Sequence, residues 1–143
     1  PATMQTFVVL FLGMVLGYRL AVATVALYLI EGSIGLPVFA KGGGFAYLVG
    51  PTGGYLIGFI LTTFFAGMIK VKNDPILIFI YLLFSISATY VLGLLGLWNY
   101  MGLDKSFNQV FLVGAQPFLH IEIYKILILA VLSKQILKLR KFI

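Results

Sequence analysis

Long apolar stretches separated by short polar or glycine-rich segments dominate the chain. No charged residue occurs in residues 42–69 or 75–103, and a helix needs about 20 apolar residues to cross the hydrocarbon core of a bilayer. We therefore predict helices over residues 55–69 and 76–97. A last apolar stretch begins near Pro117, which suits the first turn of a helix, and ends in a cationic C-terminus. The pattern predicts a bundle of membrane-spanning helices.

The first apolar stretch, residues 6–30, is interrupted by Gly17 and Arg19. Because an Arg at the bilayer centre costs about 2.5 to 3.5 kcal/mol, two arrangements are open. Either one long helix carries a buried Arg19, or two short tilted helices turn at Gly17 and leave Arg19 among the lipid headgroups. Gly13 and Gly17 also form a GxxxG pattern that suits close helix packing, although chance produces such pairs in a chain with 16 glycines.

The composition supports an all-α integral membrane protein and excludes several classes of function. Of the 143 residues, 62% are apolar and 10% are charged, whereas soluble domains have roughly 45–50% and about 25%. The chain contains no cysteine and one histidine, His120, so we expect neither a disulfide nor a metal site. No nucleophile, base and orienting residue occur together at a recognisable spacing, so we expect no catalytic residue and no enzyme.

The net charge of +6 comes from cations at the ends of apolar stretches, which indicates membrane topology rather than nucleic-acid binding. In the two-helix arrangement, seven of the ten cations share one side of the bundle: Arg19, Lys70, Lys72, Lys134, Lys138, Arg140 and Lys141. The positive-inside rule then predicts a cytoplasmic C-terminus for a multi-pass protein of the bacterial cytoplasmic membrane. It also predicts that the glycine-rich segment 32–54 and a polar loop over residues 98–110 face outward.

The glycine-rich segment ends in Gly50-Pro-Thr-Gly-Gly-Tyr55 and runs directly into a predicted helix. A glycine-rich turn before a helix can aim backbone N–H groups at an anion, but no Lys-Ser or Lys-Thr follows, so this is not a phosphate-binding P-loop. Two interpretations are open. The glycines either allow close helix packing through Gly54 and Gly58, which composition favours, or form a cradle for a ligand.

Glu122 and Lys125 are three residues apart and therefore share one face of the last helix. If that helix begins near Pro117, they lie about 7 Å and about 12 Å from its start, which is within the hydrocarbon. Ionisable residues at such a depth usually mark a functional site. The alternative is a structural ion pair whose charges neutralise each other.

Three segments of the chain resemble the BioY family, the biotin-specific substrate-binding (S) components of energy-coupling-factor (ECF) transporters. They are residues 1–7 (PATMQTF), residues 35–39 (GLPVF) with the glycines that follow, and residues 50–59 (GPTGGYLIGF). The resemblance implies a polytopic helical bundle with six spans, of which five are visible here. Residues 1–143 would then form a single transmembrane domain lacking its N-terminal helix. This favours the two-helix arrangement of residues 6–30. The start at Pro1, without a Met or a basic n-region, also leads us to expect the remainder of a longer protein without a signal peptide.

The resemblance also implies a ligand site. In the family, an acidic residue followed three positions later by Lys helps to hold biotin, and this pattern matches Glu122 and Lys125, with Glu in place of the usual Asp and His120-Ile121 in place of Pro-Gly. Biotin further needs aromatic contacts for its fused rings and a cation or N–H groups for its carboxylate. The expected ligand-binding residues are Thr3, Gln5, Phe39, Lys41, Gly43, Tyr47, Thr52, Gly53, Gly54, Tyr55, Glu122 and Lys125.

The chain has no ATPase motif, so energy for transport must come from other subunits. By resemblance, these are a membrane coupling protein and two ATPase subunits, unless the protein acts alone. We expect no cofactor, with biotin as the transported ligand. Two alternatives are an S component for a different small vitamin and a non-transporting structural subunit of a membrane complex.

Overall fold

The computed structural model describes residues 4–39, 42–70 and 74–142, without the side chains of residues 141 and 142. Seven α-helices account for most of these residues, and short 3-10 turns follow α5 and α7 at Gln116–Phe118 and Leu139–Phe142. The helices are α1 (Gln5–Ser33), α2 (Phe45–Leu48), α3 (Gly53–Ala66), α4 (Pro75–Met101), α5 (Phe107–Gly114), α6 (Leu119–Val131) and α7 (Ser133–Lys138). The prediction of a helical bundle is therefore confirmed.

Within the described ranges, three segments are long and apolar enough to cross a membrane: α1, α4 and the segment Phe107–Val131. Helix α3 is equally apolar in character but has only 14 residues. Helix α4 begins where the sequence predicts, because Pro75 occupies its first turn and the Asp74 carboxylate accepts a hydrogen bond from the Ile76 N–H at 2.9 Å. By length and composition, these three segments are typical of membrane-spanning helices.

Helix α1 bends sharply at Gly17, where φ is 79° and ψ is 165°. This backbone conformation is essentially restricted to glycine, and it divides α1 into a first limb, residues 5–16, and a second limb, residues 18–33. Arg19 lies just after the bend with an exposed side chain. The bend and the exposed Arg19 agree with the two-helix arrangement and contradict a straight helix that buries Arg19.

Helices α3 and α4 pack closely along their length because glycines line the contact. A Cβ atom at Gly54 would clash with the backbone of Leu92, and one at Gly58 would lie 2.6 Å from the Cα atom of Thr89. Gly13 in the first limb of α1 packs in the same way against the backbone of α3. The packing interpretation thus holds for Gly54 and Gly58. In the GxxxG pair of α1, Gly13 allows close packing and Gly17 forms the bend.

The prediction of a polar loop over residues 98–110 is wrong in the extent of the loop. Helix α4 continues to Met101, and α5 begins at Phe107. Ser106 and Gln109 start α5 with a capping box, in which each side chain bonds the other residue's backbone N–H. In the glycine-rich segment, the described residues include a short helix, α2, and a buried Phe39.

Candidate functional site

Glu122 and Lys125 form a buried ion pair in α6. The Lys125 Nζ atom lies 3.3 Å from Glu122 Oε1, and the two residues expose only 3% and 6% of their surface. Their spacing of three residues brings both side chains to the face of α6 that packs inward. The predicted pairing of these two residues is therefore present.

Thr6 and Tyr90 complete the surroundings of this pair. The Thr6 hydroxyl lies 3.0 and 3.1 Å from the two Glu122 carboxylate oxygens and accepts from Lys125 Nζ at 3.1 Å. The Tyr90 hydroxyl donates to Glu122 Oε1 at 3.0 Å. Three helices, α1, α4 and α6, thus bring together the four residues that we call the Glu122 cluster: Thr6, Tyr90, Glu122 and Lys125.

The Glu122 cluster combines a strong acceptor with a strong donor in a buried place. A carboxylate only accepts hydrogen bonds and an ammonium only donates them, and hydrogen bonds to such charged groups are roughly twice as strong as neutral ones. The hydroxyls of Thr6 and Tyr90 hold the carboxylate between them. The arrangement suits a neutral ligand that offers N–H groups to Glu122 and a carbonyl oxygen to Lys125.

Tyr55, another predicted site residue, lies next to the Glu122 cluster through Tyr90. The two tyrosine rings meet edge to face with centroids 5.9 Å apart, and the Tyr55 hydroxyl donates to the Gly114 carbonyl oxygen at 2.7 Å. Residues just before it are held by packing: Gly53 lies against the backbone of Leu48. Thr52 is half-buried and makes no side-chain cap for α3.

A second group of predicted residues lies around Phe39. Its ring contacts Tyr28 and Tyr47, with centroids 5.4 and 4.9 Å away. Tyr28 accepts a hydrogen bond from the Gln5 side-chain amide at 3.0 Å. Gln5 and Tyr28 also line an apolar cavity of about 490 Å³ between the two limbs of α1. Gly43 is exposed, and a Cβ atom there would clash with the Leu36 carbonyl.

Six of the predicted ligand-binding residues therefore fall into two groups: Glu122, Lys125 and Tyr55 in one, and Gln5, Phe39 and Tyr47 in the other. Gln5 and Thr6 connect them, since they are consecutive and each bonds to a different group. The contacts described for Gly43, Gly53 and Gly54 are with Leu36, Leu48 and Leu92 instead. Thr3 and Lys41 lie outside the described residues.

Sequence reasoning missed Thr6 and Tyr90, which contact Glu122 in the candidate site. Thr6 lies inside the segment 1–7 that carries the family resemblance, which was a usable signal. Tyr90 is one of several hydroxyl residues in the long apolar helix α4, and nothing in its spacing distinguishes it from Ser85 or Thr89. Its contact with Glu122 depends on how α4 and α6 are rotated against each other.

The sequence and the fold are similar to known membrane transport proteins. The profile of the BioY family matches residues 1–142. The "Probable biotin transporter BioY" of Pyrococcus horikoshii is 38% identical over 126 residues, which are 87% of this chain and 73% of that protein. The "Biotin transporter BioY" of Thermotoga maritima is 34% identical over 140 residues, or 97% of this chain and 82% of that protein.

Among solved structures, the S-component for biotin from an ECF-type ABC transporter superposes with a TM-score of 0.79 at 24% identity, covering 94% of this chain and 74% of the other. This likeness establishes the fold and confirms the prediction of a helical membrane bundle of the ECF S-component type. The prediction of a transport component rather than an enzyme is confirmed as well. On the match along almost its whole length, the chain belongs to the BioY family.

Proposed function

We propose that this chain binds biotin within the membrane and mediates its uptake as the substrate-binding component of a vitamin transporter. The observation that carries the proposal is the Glu122 cluster, four buried polar residues in a chain whose family members are named biotin transporters. Its two charged groups neutralise each other in the absence of a ligand.

The chemistry of biotin suits this cluster. The ureido ring of biotin is uncharged and carries two N–H donors and one carbonyl acceptor. In our proposal, Glu122 accepts from the N–H groups, Lys125 donates to the carbonyl oxygen, and Thr6 and Tyr90 orient the carboxylate. No bond is made or broken in such a step, so binding requires positioning but no catalytic residue.

The group around Phe39 extends the proposed site to the rest of the ligand. We assign Phe39, Tyr47 and Tyr55 to the apolar fused rings, since the first two already form an aromatic contact. We assign Gln5, Lys41 and the glycine-rich turn to the valerate carboxylate, which needs a cation or N–H groups. We include five further residues in the proposed site because they lie close to this set in the sequence: Thr3, Gly43, Thr52, Gly53 and Gly54.

We further propose that the chain works with other subunits that hydrolyse ATP. The sequence contains no P-loop, and the solved structure with the same fold is described as a component of an ECF-type ABC transporter. A membrane coupling protein and two ATPase subunits would supply the energy. Co-purification of this chain with such subunits, and uptake that stops when their ATPase is inactivated, is the expected result.

Our proposed orientation places the C-terminus on the cytoplasmic side of the cytoplasmic membrane. Arg140 donates to the Ile69 carbonyl, so the C-terminal cations and Lys70 lie at the same end of the bundle. The chain has no cysteine, which makes single-cysteine labelling direct. We expect an impermeant maleimide to label Asp104→Cys but not Lys138→Cys in intact cells, and the reverse pattern would overturn the orientation.

Titration with biotin tests the proposed ligand. We expect the purified protein to bind biotin tightly and the variant Glu122→Gln/Lys125→Met to fold but to lose affinity by roughly ten- to a hundredfold for each lost charged hydrogen bond. A matched control, Asp104→Asn/Lys134→Met, removes one charge of each sign from exposed positions and is expected to bind normally.

Three outcomes separate the alternatives. Equal binding of an unrelated vitamin would favour an S component of different specificity. Near wild-type affinity in the folded Glu122→Gln/Lys125→Met variant would remove both residues from the site. A structural subunit predicts that Lys125→Ala leaves cellular biotin uptake unchanged while substitutions at Gly54 or Gly58 disrupt assembly.

A further inference from the structure

Arg140, in the turn after α7, holds two other helices by their backbone. Its half-buried guanidinium donates to Met14 O through Nε at 2.6 Å and to Ile69 O through Nη1 at 2.6 Å. Its Nη2 atom donates to Gly67 O at 3.1 Å and, more weakly, to Gly13 O at 3.5 Å. Four carbonyls from two separate segments thus converge on one side chain.

These carbonyls lie at the ends of two helices. Gly13 and Met14 belong to the last turn of the first limb of α1, which stops at the Gly17 bend. Gly67 and Ile69 follow directly after α3. The last carbonyls of a helix lack regular partners within the helix, as at Gly13 and Met14, whereas Gly67 is the C-cap residue of α3 and Ile69 lies two residues beyond it. The C-terminal end of a helix also carries a partial negative charge. A cation with five N–H donors satisfies both requirements.

The guanidinium keeps its charge in this position. Burial lowers the pKa of Arg140 from its ordinary value, but that value lies so far above neutral pH that the group stays protonated. One rigid, planar cation therefore fixes the end of the first limb of α1 relative to the end of α3.

Both helices begin at the candidate site, at the end of the bundle opposite to Arg140. The first limb of α1 begins with Gln5 and Thr6, and α3 begins with Gly53 and leads to Tyr55. A limb of residues 5–16 is roughly 18 Å long at 1.5 Å per residue. A shift of its far end along or around its axis therefore moves Thr6 relative to Glu122, which belongs to a different helix.

We infer that Arg140 is a positioning residue for ligand binding, which acts by fixing the first limb of α1 so that Thr6 meets Glu122 and Lys125. This inference rests on the proposed function, because it concerns the affinity of that same site. Arg140 itself lies at the opposite end of the limb and touches no residue of the Glu122 cluster in the bonds described above.

Biotin titration in two backgrounds tests the route through Thr6. We expect Arg140→Met to weaken biotin binding about tenfold, the loss of one hydrogen bond to a charged group, and Arg140→Lys to restore part of the affinity. In the Thr6→Val background, Arg140→Met should cause no further loss, because its effect passes through Thr6. Losses that multiply in the double variant would overturn the inference.

Two control variants separate positioning from general weakening of the fold. Lys138→Met removes an exposed cation from the same end of the chain and should leave affinity unchanged. Leu82→Ala opens a cavity at a fully buried position in α4 and should lower the melting temperature without weakening biotin binding tenfold. If Leu82→Ala weakens binding as much as Arg140→Met at equal loss of stability, the positioning role is wrong.

A measurement without any ligand keeps the inference independent of the proposed function. Spin labels at Val8→Cys and Tyr124→Cys, both exposed, report the distance between the first limb of α1 and α6. We expect Arg140→Met to shift or broaden this distance distribution and Lys138→Met to leave it unchanged. An unchanged distribution in Arg140→Met overturns the inference. If the wild-type protein does not bind biotin but Arg140→Met still shifts the distribution, only the proposed function is contradicted.

Discussion

Two buried polar contacts share helix α4 and differ in what they are made of. The first, which we call the threonine contact, joins α3 to α4 through hydroxyls: Thr62 donates to the Ser85 carbonyl at 2.9 Å and lies 2.6 Å from the Thr89 hydroxyl. The second is the Glu122 cluster, in which an ion pair and two hydroxyls join α1, α4 and α6. One contact is neutral and local, and the other is charged and spans three helices.

The difference separates a contact that suits packing from one to which our proposal assigns ligand binding. Burying a hydroxyl with a partner costs little, whereas burying a charge costs several kcal/mol even when it is paired. Apolar residues of similar volume often replace a buried ion pair without loss of stability. A helix junction that needed only to be stable would therefore resemble the threonine contact. The charges of the Glu122 cluster make sense as groups for a ligand.

The largest expected effect comes from removing one charge of the Glu122 cluster. Lys125→Met alone leaves Glu122 buried without its cation, and breaking a buried pair in this way costs about 3 to 5 kcal/mol. The double variant Glu122→Gln/Lys125→Met leaves no orphaned charge and should be closer to wild type in stability. Thermal melting in detergent measures both. A single variant as stable as the double would mean that water or lipid headgroups already reach the pair.

Tyr90→Phe should be the next most damaging change. It removes a hydrogen bond to a carboxylate, which contributes about 1.5 to 3 kcal/mol, whereas a neutral hydrogen bond contributes about 0.5 to 1.5 kcal/mol. Tyr55→Phe is the matched control, since its hydroxyl donates to a backbone carbonyl, that of Gly114. We expect Tyr90→Phe to weaken biotin binding and Tyr55→Phe to leave the carboxylate contacts intact. Equal losses of biotin affinity in the two variants would contradict a greater contribution of the Tyr90 hydroxyl than of the Tyr55 hydroxyl.

Gly58→Ala tests the packing side of the comparison. Its Cβ atom would lie 2.6 Å from the Thr89 Cα atom, and overpacking of this kind costs about 1 to 3 kcal/mol. Gly50→Ala is the control, because the nearest atom to a Cβ there is 3.4 Å away. Gly50→Ala should keep the stability of the wild type, and Gly58→Ala should bind biotin with normal affinity once folded. A specific loss of binding in Gly58→Ala would show that the α3–α4 contact also shapes the ligand site.

The smallest effect is expected for Thr62→Val, in the threonine contact itself. The substitution keeps the shape and removes one hydroxyl, and the Thr89 hydroxyl can then turn to the Ser85 carbonyl, which lies four residues earlier in its own helix. We expect a loss of about 1 kcal/mol in unfolding free energy and unchanged biotin affinity, measured by melting and titration on one sample. A loss of unfolding free energy as large as that of Lys125→Met would contradict the difference between the threonine contact and the Glu122 cluster.

The charged half of the site was accessible from sequence because it depends on local geometry. Glu122 and Lys125 are three residues apart on a helix, so their pairing follows from helix periodicity. Thr6 reaches Glu122 across 116 residues and Tyr90 across 32, and such contacts depend on how helices are rotated and inclined in the bundle. The periodicity of a nearly uniform apolar helix does not record that rotation, because its lipid-facing and buried sides have the same composition.

For the fold, the sequence predicted the long helices and missed the short helices α2 and α5. Helices α3 and α4 follow the uncharged stretches to within a few residues. Helix α5 was taken as loop because of the polar residues before it, although Ser106 and Gln109 have the spacing of a capping box. The bend at Gly17 was one of two arrangements, since an Arg after a glycine is compatible with both a buried and an exposed position.

The bend at Gly17 imposes a requirement of handedness rather than of size. A Cβ atom at this position would meet no other atom within 4 Å, yet φ is 79°, in a region that L-amino acids avoid whatever their volume. At Gly58 the obstacle is space, because a Cβ atom there meets the backbone of α4. Every L side chain therefore strains position 17 by a similar amount, from alanine to leucine. The shape of α1 depends on one Cα atom that is not a stereocentre.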